Sequence, residues 1–401
     1  MPEHLTSDHL VKAYNSLATC FTRGDGAYLW DTEGKRYLDA LCGVSVTNLG
    51  HNYPAVTHAI QQQASLLLHT SNIYSIEWQQ KLANLICQLS GMDRVFFANS
   101  GAEANEAAIK IARLYGHHQG NRDPHIVVME RGFHGRTLAT LSATGNRKVQ
   151  TGFEPLVSGF VRAPYNDIES IRSIAENNKK VVAILVEPVQ GEGGIIVPDR
   201  GYLTALRQVC DDNNWLLMLD EIQTGTARSG KLFAFQHEGI KPDVMTLAKA
   251  LGNGIPIGAC VTYGKAAEVI QPGNHGSTFG GNPMACRVGY TVLDSIVQNN
   301  LAANATQLSE QLITRLKQGL AANSAIAEIR NLGLLIGIEM KQNCQAFVAH
   351  ALQRGLLVNV TAEKVIRLLP PLILDAQQAE DMVQQLIDCI NSFETAAKSN
   401  N

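Results

Sequence analysis

The feature that most limits how this chain can fold is a series of short segments that are apolar at every position. Helix-forming sequence separates these segments. Between about residues 55 and 275 these segments are Val95–Phe97, Ile126–Met129, Val181–Val186, Trp215–Leu219 and Cys260–Val261. Continuous apolar runs of this kind are typical of strands that are covered on both faces. The alternation therefore predicts an α/β fold with a mainly parallel sheet between helices.

The pattern changes on both sides of this region, which predicts three parts. Residues 1–54 contain short β-prone runs separated by glycine turns, as in a small antiparallel hairpin. Residues 55–283 are expected to form the large domain. Residues 284–401 begin with a long amphipathic stretch, Ala285–Leu320, and continue with alternating strands and helices. They predict a smaller α+β domain on which the N-terminal hairpin packs.

Composition argues against several other classes of protein. The formal net charge is −3 and no basic run is present, so attraction to nucleic acid has no evident source. The start of the chain lacks the pattern of a signal peptide, and no segment approaches the roughly 18 apolar residues of a membrane helix. The eight cysteines show no disulfide or metal-ligand spacing, and we expect them to be reduced core residues. We therefore expect a cytoplasmic protein without a metal site.

Two residues carry the chemistry, and one of them ends a predicted strand. Lys249 lies among small and apolar residues, and Asp220 ends the run Trp215–Leu219. A desolvated amine is less strongly protonated, so it can attack an aldehyde and later be displaced by a substrate amine. A carboxylate at the end of a buried strand can stabilise a protonated pyridine nitrogen. A protein that uses pyridoxal 5′-phosphate must supply both of these groups.

A turn of small residues follows the first apolar segment. Ser100 can donate its hydroxyl, and the N–H groups of Gly101 and Ala102 lie at a predicted helix N-terminus, which favours an anion. An ordinary helix N-cap explains the same residues and is the commoner case for an isolated Ser-Gly-Ala. The turn indicates a phosphate site only in combination with its neighbours.

Aromatic, cationic and acidic side chains follow two other apolar segments. Phe133 can lie against a planar ring and Arg136 can bind a carboxylate, although a lone Phe is usually core and a lone Arg usually solvated. Glu187–Gly194 places two carboxylates among glycines but lacks GxGxxG spacing. Asp220–Glu221 resembles a magnesium-binding strand end, but no GxxxxGK[ST] loop exists to bind nucleotide phosphates.

The residues alone leave two segments open. His275–Pro283 is rich in glycine and hydroxyl groups, so Thr278 can reach a phosphate from a neighbouring subunit, but the composition equally suits a linker between domains. Arg367 lies within the apolar run Val365–Leu369. It is either an edge-strand arginine whose head reaches water or a buried cation that needs an anionic partner.

Together these segments resemble the ordered motifs of the class III pyridoxal-phosphate-dependent aminotransferases. The resemblance extends from about residue 14 to residue 390, and its seven motifs are Ser100-Gly-Ala, Phe133-His-Gly-Arg-Thr, Glu187-Pro-Val-Gln-Gly-Glu, Asp220-Glu-Ile-Gln-Thr-Gly, the Lys249 segment, Gly276-Ser-Thr-Phe-Gly-Gly-Asn-Pro and Ile366-Arg-Leu-Leu-Pro-Pro. The resemblance implies the fold-type I architecture, the cofactor pyridoxal 5′-phosphate and a homodimer whose active sites are built from both subunits.

The resemblance also implies roles for individual residues around the cofactor. Lys249 would be the Schiff-base lysine and proton shuttle, and Asp220 would pair with the pyridine nitrogen. Contacts with the rest of the cofactor are implied for Phe133 over the ring, Gln223 at the phenolic oxygen, and Ser100, Gly101, Ala102 and, from the other subunit, Thr278 at the phosphate.

Substrate contacts are implied for Tyr14, Arg136, Glu192, Ser277 and Arg367. Arg136 matches a carboxylate-binding position, and Tyr14 matches an N-terminal aromatic that borders the pocket. Glu192 and Arg367 match a pair whose salt bridge lets one pocket accept an ω-amine in one half-reaction and a dicarboxylic acid in the other. The segment Thr226-Ala-Arg-Ser-Gly230 departs from the Gly-Arg-Thr-Gly of the family without touching the catalytic residues.

Within the family, the motifs most resemble those of acetylornithine aminotransferases. We therefore expect transfer of the ω-amine of N-acetylornithine to 2-oxoglutarate, giving N-acetylglutamate semialdehyde and glutamate, as in arginine biosynthesis. Ornithine, succinylornithine, succinyldiaminopimelate and 4-aminobutyrate aminotransferases are the alternatives. A catalytically silent cofactor-binding scaffold is a third hypothesis, but it predicts the loss of Lys249, Asp220 or Arg136, and all three are present.

Overall fold

The structure, a computed structural model, describes residues 9–399 and the side chains of residues 9–395. The start of the chain, which lacks the pattern of a signal peptide, therefore lies mostly outside the described residues. The strands are β1 (Phe21–Asp25), β2 (Tyr28–Asp31), β3 (Arg36–Asp39), β4 (Arg94–Ala98), β5 (His125–Met129), β6 (Phe160–Ala163), β7 (Val181–Val186), β8 (Leu216–Asp220), β9 (Val244–Leu247), β10 (Gly258–Thr262), β11 (Ile326–Leu332), β12 (Leu335–Met340), β13 (Leu356–Leu357), β14 (Asn359–Thr361) and β15 (Val365–Leu368).

Helices separate most of these strands. They are α1 (Cys42–Ser45), α2 (Pro54–Ala64), α3 (Glu77–Ser90), α4 (Gly101–His118), α5 (Leu138–Ala143), α6 (Ile168–Asn177), α7 (Tyr202–Asp212), α8 (Pro283–Gln298), α9 (Leu301–Gly319), α10 (Phe347–Gln353) and α11 (Ala376–Ser399). The first of them is a single turn with left-handed backbone angles. Within residues 9–399, no helix combines the length and hydropathy needed to cross a bilayer.

A seven-stranded sheet confirms the predicted α/β architecture. Its spatial order is β4-β10-β9-β8-β7-β5-β6, and only β10 runs antiparallel to the others. Every residue of β7 and β8 is buried, as expected for strands with helices on both faces. The carboxyl ends of β4, β5, β7, β8 and β9 therefore share one edge of the sheet, and the segments that follow them meet there.

Two four-stranded sheets complete the fold. One is antiparallel, with the order β11-β12-β15-β14. The other joins the N-terminal hairpin to the C-terminal part of the chain, because β3 pairs in parallel with β13. The domain limits at residues 54/55 and 283/284 stay predictions. The amphipathic stretch Ala285–Leu320 contains two helices rather than one, because Asn299 ends α8 and Asn300 adopts a φ of 52° before α9.

The cysteines differ in part from the expectation that all lie in the core. All eight are unpaired. Six are buried, whereas Cys20 is exposed and Cys87 is half-buried. The expectation is therefore wrong for these two residues.

A buried arginine fixes the N-terminal segment beside the main sheet. Arg228 lies in the segment whose sequence departs from the family pattern, and its side chain is fully buried. Its guanidinium donates to Ser45 Oγ at 3.0 Å and also to Asn48 Oδ1 and the carbonyl of Pro370. Burial lowers the pKa of this guanidinium to about 10. These bonds tie the left-handed turn α1 to the segment after β15.

Candidate active site

A cavity of about 470 Å³ opens at the edge of the main sheet where the parallel strands end. Most of the residues predicted for cofactor and substrate line it: Ser100, Gly101, Ala102, Phe133, Arg136, Glu192, Asp220, Gln223 and Lys249. They reach it from segments that follow β4, β5, β7, β8 and β9. Antiparallel β10 begins at the same edge, and Ile255–Ile257 just before it add an apolar wall. The cavity therefore collects polar groups from five strand ends.

Lys249 occupies a strained position in this cavity. It follows β9 and begins a short 3₁₀ turn with a φ of 46°, a left-handed angle that a residue with a side chain rarely adopts and that clusters at functional sites. Burial lowers the pKa of its amine, and the negative charge of Glu192 acts in the opposite direction. A larger fraction of the amine is therefore neutral than for a lysine in water.

Asp220, the last residue of β8, is 4% exposed and is held by three donors. Its Oδ2 lies 2.8 Å from His134 Nδ1 and accepts from Asn105 Nδ2 at 2.8 Å. Its Oδ1 accepts from the backbone N–H of Ile222 at 3.2 Å. Asn105 is itself fixed by Thr246 Oγ1, which donates to its Oδ1 at 2.8 Å. The carboxylate is thus oriented at the cavity wall.

His134 and Asn105 both contact Asp220, although neither was predicted as a site residue. His134 is buried, and its Nε2 has no hydrogen-bond partner among residues 9–395. A signal for each was available in the sequence. Asn105 is an uncharged polar residue among alanines in the predicted helix that follows Ser100, and His134 stands between Phe133 and Arg136. Neither signal shows which carboxylate the side chain meets.

The turn at Ser100 combines the two interpretations that its sequence allowed. Ser100 is the N-cap of α4, and its Oγ accepts from the N–H of Glu103 at 3.2 Å. The first two helical N–H groups, those of Gly101 and Ala102, have no acceptor among the described residues. Gly258 packs on this turn, where a Cβ would lie 2.2 Å from the carbonyl oxygen of Ser100. A capped helix with free N–H groups can bind an anion.

Phe133, Glu187 and Gln223 all line the cavity. Phe133 is half-buried, and its N–H donates to Glu187 Oε2 at 3.0 Å. Burial raises the pKa of Glu187 to about 7. The side chain of Gln223 is buried, and a Cβ at Gly191 would lie 2.0 Å from its Oε1. The glycine at this position is therefore required for Gln223 to occupy its place.

Two arginines differ sharply in their surroundings. Arg367 is 1% exposed and lies on β15, which is an internal strand between β12 and β14. Its Nη1 donates to Glu192 Oε1 at 2.7 Å, and its Nε donates to Asn359 Oδ1 at 3.0 Å. It is therefore the buried, paired cation, and not the edge-strand arginine of the alternative interpretation. Arg136 is exposed, lies 5.8 Å from the Phe133 ring, and forms no ion pair with the described residues.

Four predicted site residues do not line this cavity. One is Arg367, which contacts the lining residue Glu192, and the other three are Tyr14, Ser277 and Thr278. Tyr14 is 87% exposed in the N-terminal segment. Ser277 and Thr278 line a second cavity of about 790 Å³ beside α4, which shares Asn99 with the first. Ser277 Oγ accepts from Asn99 Nδ2 at 3.2 Å, whereas Thr278 is exposed. The single chain therefore does not place these three residues beside Lys249.

The residues that line the first cavity fit pyridoxal 5′-phosphate. Lys249 provides a desolvated amine, and Asp220 provides a fixed carboxylate. The free N–H groups of Gly101 and Ala102 at the start of an 18-residue helix provide an anion site. These are the three kinds of group that hold the aldehyde, the pyridine nitrogen and the phosphate of this cofactor.

Comparison with known proteins agrees with this arrangement. Residues 10–390 match the family model of the class-III aminotransferases. An acetylornithine aminotransferase from Nitrosomonas europaea is 54% identical over 385 residues, which cover 96% of this chain and 98% of the relative. Acetylornithine aminotransferase 1 from Bordetella bronchiseptica is 50% identical over 387 residues, with the same two coverages of 96% and 98%.

Solved structures show the same fold. The ornithine aminotransferase of Toxoplasma gondii superposes with a TM-score of 0.93 at 32% identity, covering 97% of this chain and 94% of that one. The acetylornithine aminotransferase of Elizabethkingia anophelis superposes with a TM-score of 0.86 at 34% identity, covering 96% of each chain. From the family match and the extent of these similarities, the chain belongs to the class-III aminotransferases.

Proposed function

We propose that this aminotransferase moves the ω-amine of N-acetylornithine to 2-oxoglutarate, which places it in arginine biosynthesis. Relatives at 54% and 50% identity over almost the whole chain carry the acetylornithine aminotransferase name. The observation that carries the proposal is the contrast between Arg136, which lines the cavity, and Arg367, which contacts the lining residue Glu192. Arg136 is unpaired and exposed, whereas Arg367 is buried and neutralised by Glu192. One cavity can then accept substrates with one or two carboxylates.

Class-III aminotransferases depend on pyridoxal 5′-phosphate, which supplies an electron sink for a substrate carbon that loses a proton. We propose that Lys249 Nζ holds the cofactor covalently and then carries that proton. Asp220 keeps the pyridine nitrogen protonated, and its own orientation is fixed by His134 and Asn105. Phe133 covers one face of the ring, Gln223 binds its phenolic oxygen, and the turn Ser100–Ala102 binds the phosphate.

The ion pair of Glu192 with Arg367 and the exposed position of Arg136 support roles for the substrate residues. In the first half-reaction, Arg136 binds the α-carboxylate of N-acetylornithine while Glu192 keeps Arg367 neutralised. In the second, Glu192 moves aside and Arg367 binds a carboxylate of 2-oxoglutarate. Bidentate pairing of guanidinium and carboxylate suits both steps. Tyr14 and Ser277 are retained as proposed neighbours of the substrate, in an assembly that brings them closer.

A panel of amino donors tests the substrate assignment. We expect the holoenzyme to use N-acetylornithine with 2-oxoglutarate at the highest kcat/KM, ahead of ornithine, succinylornithine, succinyldiaminopimelate and 4-aminobutyrate. The physical reason for the preference over ornithine is that acylation removes the α-ammonium charge, so that the neutral amide can lie near the cationic Arg136. The expected order relative to the other donors rests on the names of the relatives. Initial rates with each donor check this. A clear preference for unacylated ornithine would contradict it, and an absence of turnover with every donor would favour the inactive scaffold.

We also propose that the protein is a homodimer with shared active sites. Exposed apolar side chains are concentrated in the segment Leu66–Tyr74, where Ile73 is 84% and Tyr74 68% exposed. Asn72 Nδ2 donates to the carbonyls of Ser277 and Gly280, so this segment lies beside Thr278. Large exposed apolar patches are typical of protein interfaces. Contact between two copies here would let Thr278 reach the phosphate end of the other copy.

Charged substitutions in this patch should separate the two subunits. Phe279 extends the patch, because it is 61% exposed and its ring lies 5.2 Å from that of His69. We expect the double variant Ile73→Glu, Phe279→Glu to sediment as a monomer at micromolar concentration and to retain the cofactor poorly, because two carboxylates would be buried in an apolar interface. Sedimentation velocity and cofactor absorbance measure the two effects. Val297→Glu, at an exposed apolar residue at the end of α8, is the matched control. A double variant that sediments like the parent would refute the proposed interface.

The cytoplasm is the proposed compartment. All eight cysteines are unpaired in the structure, and a chain with this many free thiols suits a reducing environment. Two of them, Cys20 and Cys87, are accessible to oxidants in part or in full.

A further inference from the structure

The loop that carries Glu192 is held by the antiparallel sheet through its backbone. This loop follows β7, and Thr361 of β14 donates its Oγ1 to the carbonyl of Glu192 at 2.5 Å. Arg330 of β11 donates from Nη2 to the carbonyl of Gly194 at 2.6 Å and from Nε to that of Ile195 at 2.8 Å. Two side chains of one sheet therefore hold three backbone carbonyls of the loop.

The other side of the Arg330 guanidinium is anchored within its own sheet. Its Nη1 donates to Glu339 Oε2 at 2.6 Å and to Glu328 Oε2 at 2.7 Å, and the side chain is only 12% exposed. Lys364 binds the second oxygen of Glu339 at 2.6 Å, and this hydrogen bond lowers the pKa of Glu339. Arg330 thus links a firmly ionised carboxylate to the loop carbonyls, which a lysine ammonium is too compact to do with the same geometry.

We propose that Arg330 is a positioning residue for substrate selection, which holds residues 192–195 so that Glu192 meets Arg367. This inference rests on the proposed function of the Glu192–Arg367 pair. The two partners differ in how firmly their side chains are held. Arg367 is buried and tethered by Asn359, whereas the side chain of Glu192 is 40% exposed. The position of the loop backbone therefore decides whether the pair forms.

The backbone of the loop is shaped for this contact. Gly194 has a φ of 116°, which a residue with a side chain rarely adopts, and a Cβ there would lie 3.4 Å from Arg330 Nη2. The glycine therefore allows the backbone conformation in which its carbonyl meets the guanidinium. Loss of the Arg330 contacts removes two charge-assisted hydrogen bonds from the loop, and such bonds are stronger than neutral ones.

The sign of the effect follows from competition for Arg367. A dicarboxylate must displace Glu192 to reach this arginine, so a loosened loop lowers the cost of displacement. The same change leaves Arg367 less well neutralised while N-acetylornithine is bound. Loosening should therefore strengthen binding of a dicarboxylate and weaken use of the ω-amino donor, whereas a general loss of structure would weaken both.

The test uses the holoenzyme and glutarate, a dicarboxylate that lacks the reactive carbonyl. We expect Arg330→Lys to bind glutarate about tenfold more tightly by titration calorimetry, which corresponds to the loss of a hydrogen bond to a charged group. The KM for N-acetylornithine should rise by a similar factor with kcat little changed. Thr361→Val loosens the same loop by a different contact and should shift both quantities in the same directions.

Glu328→Gln is the matched control, because it weakens the more exposed ion pair of the same guanidinium and leaves the loop carbonyls bound. It should keep the parent affinity for glutarate. Unchanged or weaker glutarate binding in Arg330→Lys and Thr361→Val would overturn the proposal. A parent enzyme that prefers another ω-amino donor would overturn the substrate assignment instead, and the glutarate titration would still support or overturn the role of Arg330.

Discussion

Replacement of Lys249 by alanine is expected to lower the rate of transamination by about 10⁴-fold, the combined scale of lost nucleophilic and proton-transfer catalysis. The reason is local. Lys249 is the lysine among the residues that line the main cavity, and burial lowers the pKa of its amine. Initial rates with N-acetylornithine and 2-oxoglutarate measure the loss. A variant with the parent rate would refute the assignment of Lys249.

Lys249→Arg separates the charge of this residue from its chemistry. Arginine keeps a cation opposite Glu192 but stays protonated and cannot serve as a nucleophile. We expect it to be as inactive as the alanine variant, because a cation at this position cannot replace a nucleophilic amine. Borohydride treatment of the parent holoenzyme, followed by peptide mapping, should place the modification on Lys249. Modification of a different lysine would contradict the assignment independently of any rate.

Five of the seven strands of the main sheet could be predicted from the sequence, because burial on both faces leaves a continuous apolar pattern. The other two, β6 and β9, were not predicted, because Arg162 and Thr246 interrupt their apolar runs. The break within Ala285–Leu320 was harder to predict, because Asn299 and Asn300 interrupt the pattern without a glycine or proline. The ambiguity at Arg367 could not be removed from sequence either. Whether β15 is an edge or an internal strand depends on its pairing with β12 and β14, which are separated from one another by β13 along the chain.

The candidate site was predictable where strand ends dictate it and less so where contacts are distant. Asp220 stands out because it ends an apolar run, and Lys249 stands out because it lies among small and apolar residues. Both residues line the cavity. His134 contacts Asp220 across 86 residues of sequence, a relation that spacing does not encode. The environment of Thr278 depends on a second subunit under the proposed dimer, so a single chain leaves it exposed. Contacts that arise from tertiary or quaternary packing are the ones that local patterns miss.

Asp220 and Glu221 are adjacent carboxylates at the same strand end. We expect substitution of Asp220 to affect catalysis and substitution of Glu221 to affect stability. Asp220 lines the cavity. Glu221 is 1% exposed and accepts from the N–H groups of Ala234 and Phe235, away from the cavity. Burial raises the pKa of Glu221, and these donors oppose the shift. The first carboxylate is therefore available to a ligand, and the second is committed to the fold.

Asp220→Asn should lower the kcat of the folded, cofactor-loaded enzyme by about 10³-fold, the upper range for loss of one preorganised electrostatic group. The amide keeps the size of the carboxylate but cannot hold a proton on the pyridine nitrogen. Glu221→Gln should destabilise the protein by about 1–3 kcal/mol, because its amide faces two backbone donors, while the folded fraction keeps its kcat. Steady-state kinetics and thermal denaturation of both holoenzymes distinguish the two roles. A normal kcat in Asp220→Asn would show that this carboxylate does not support the chemistry.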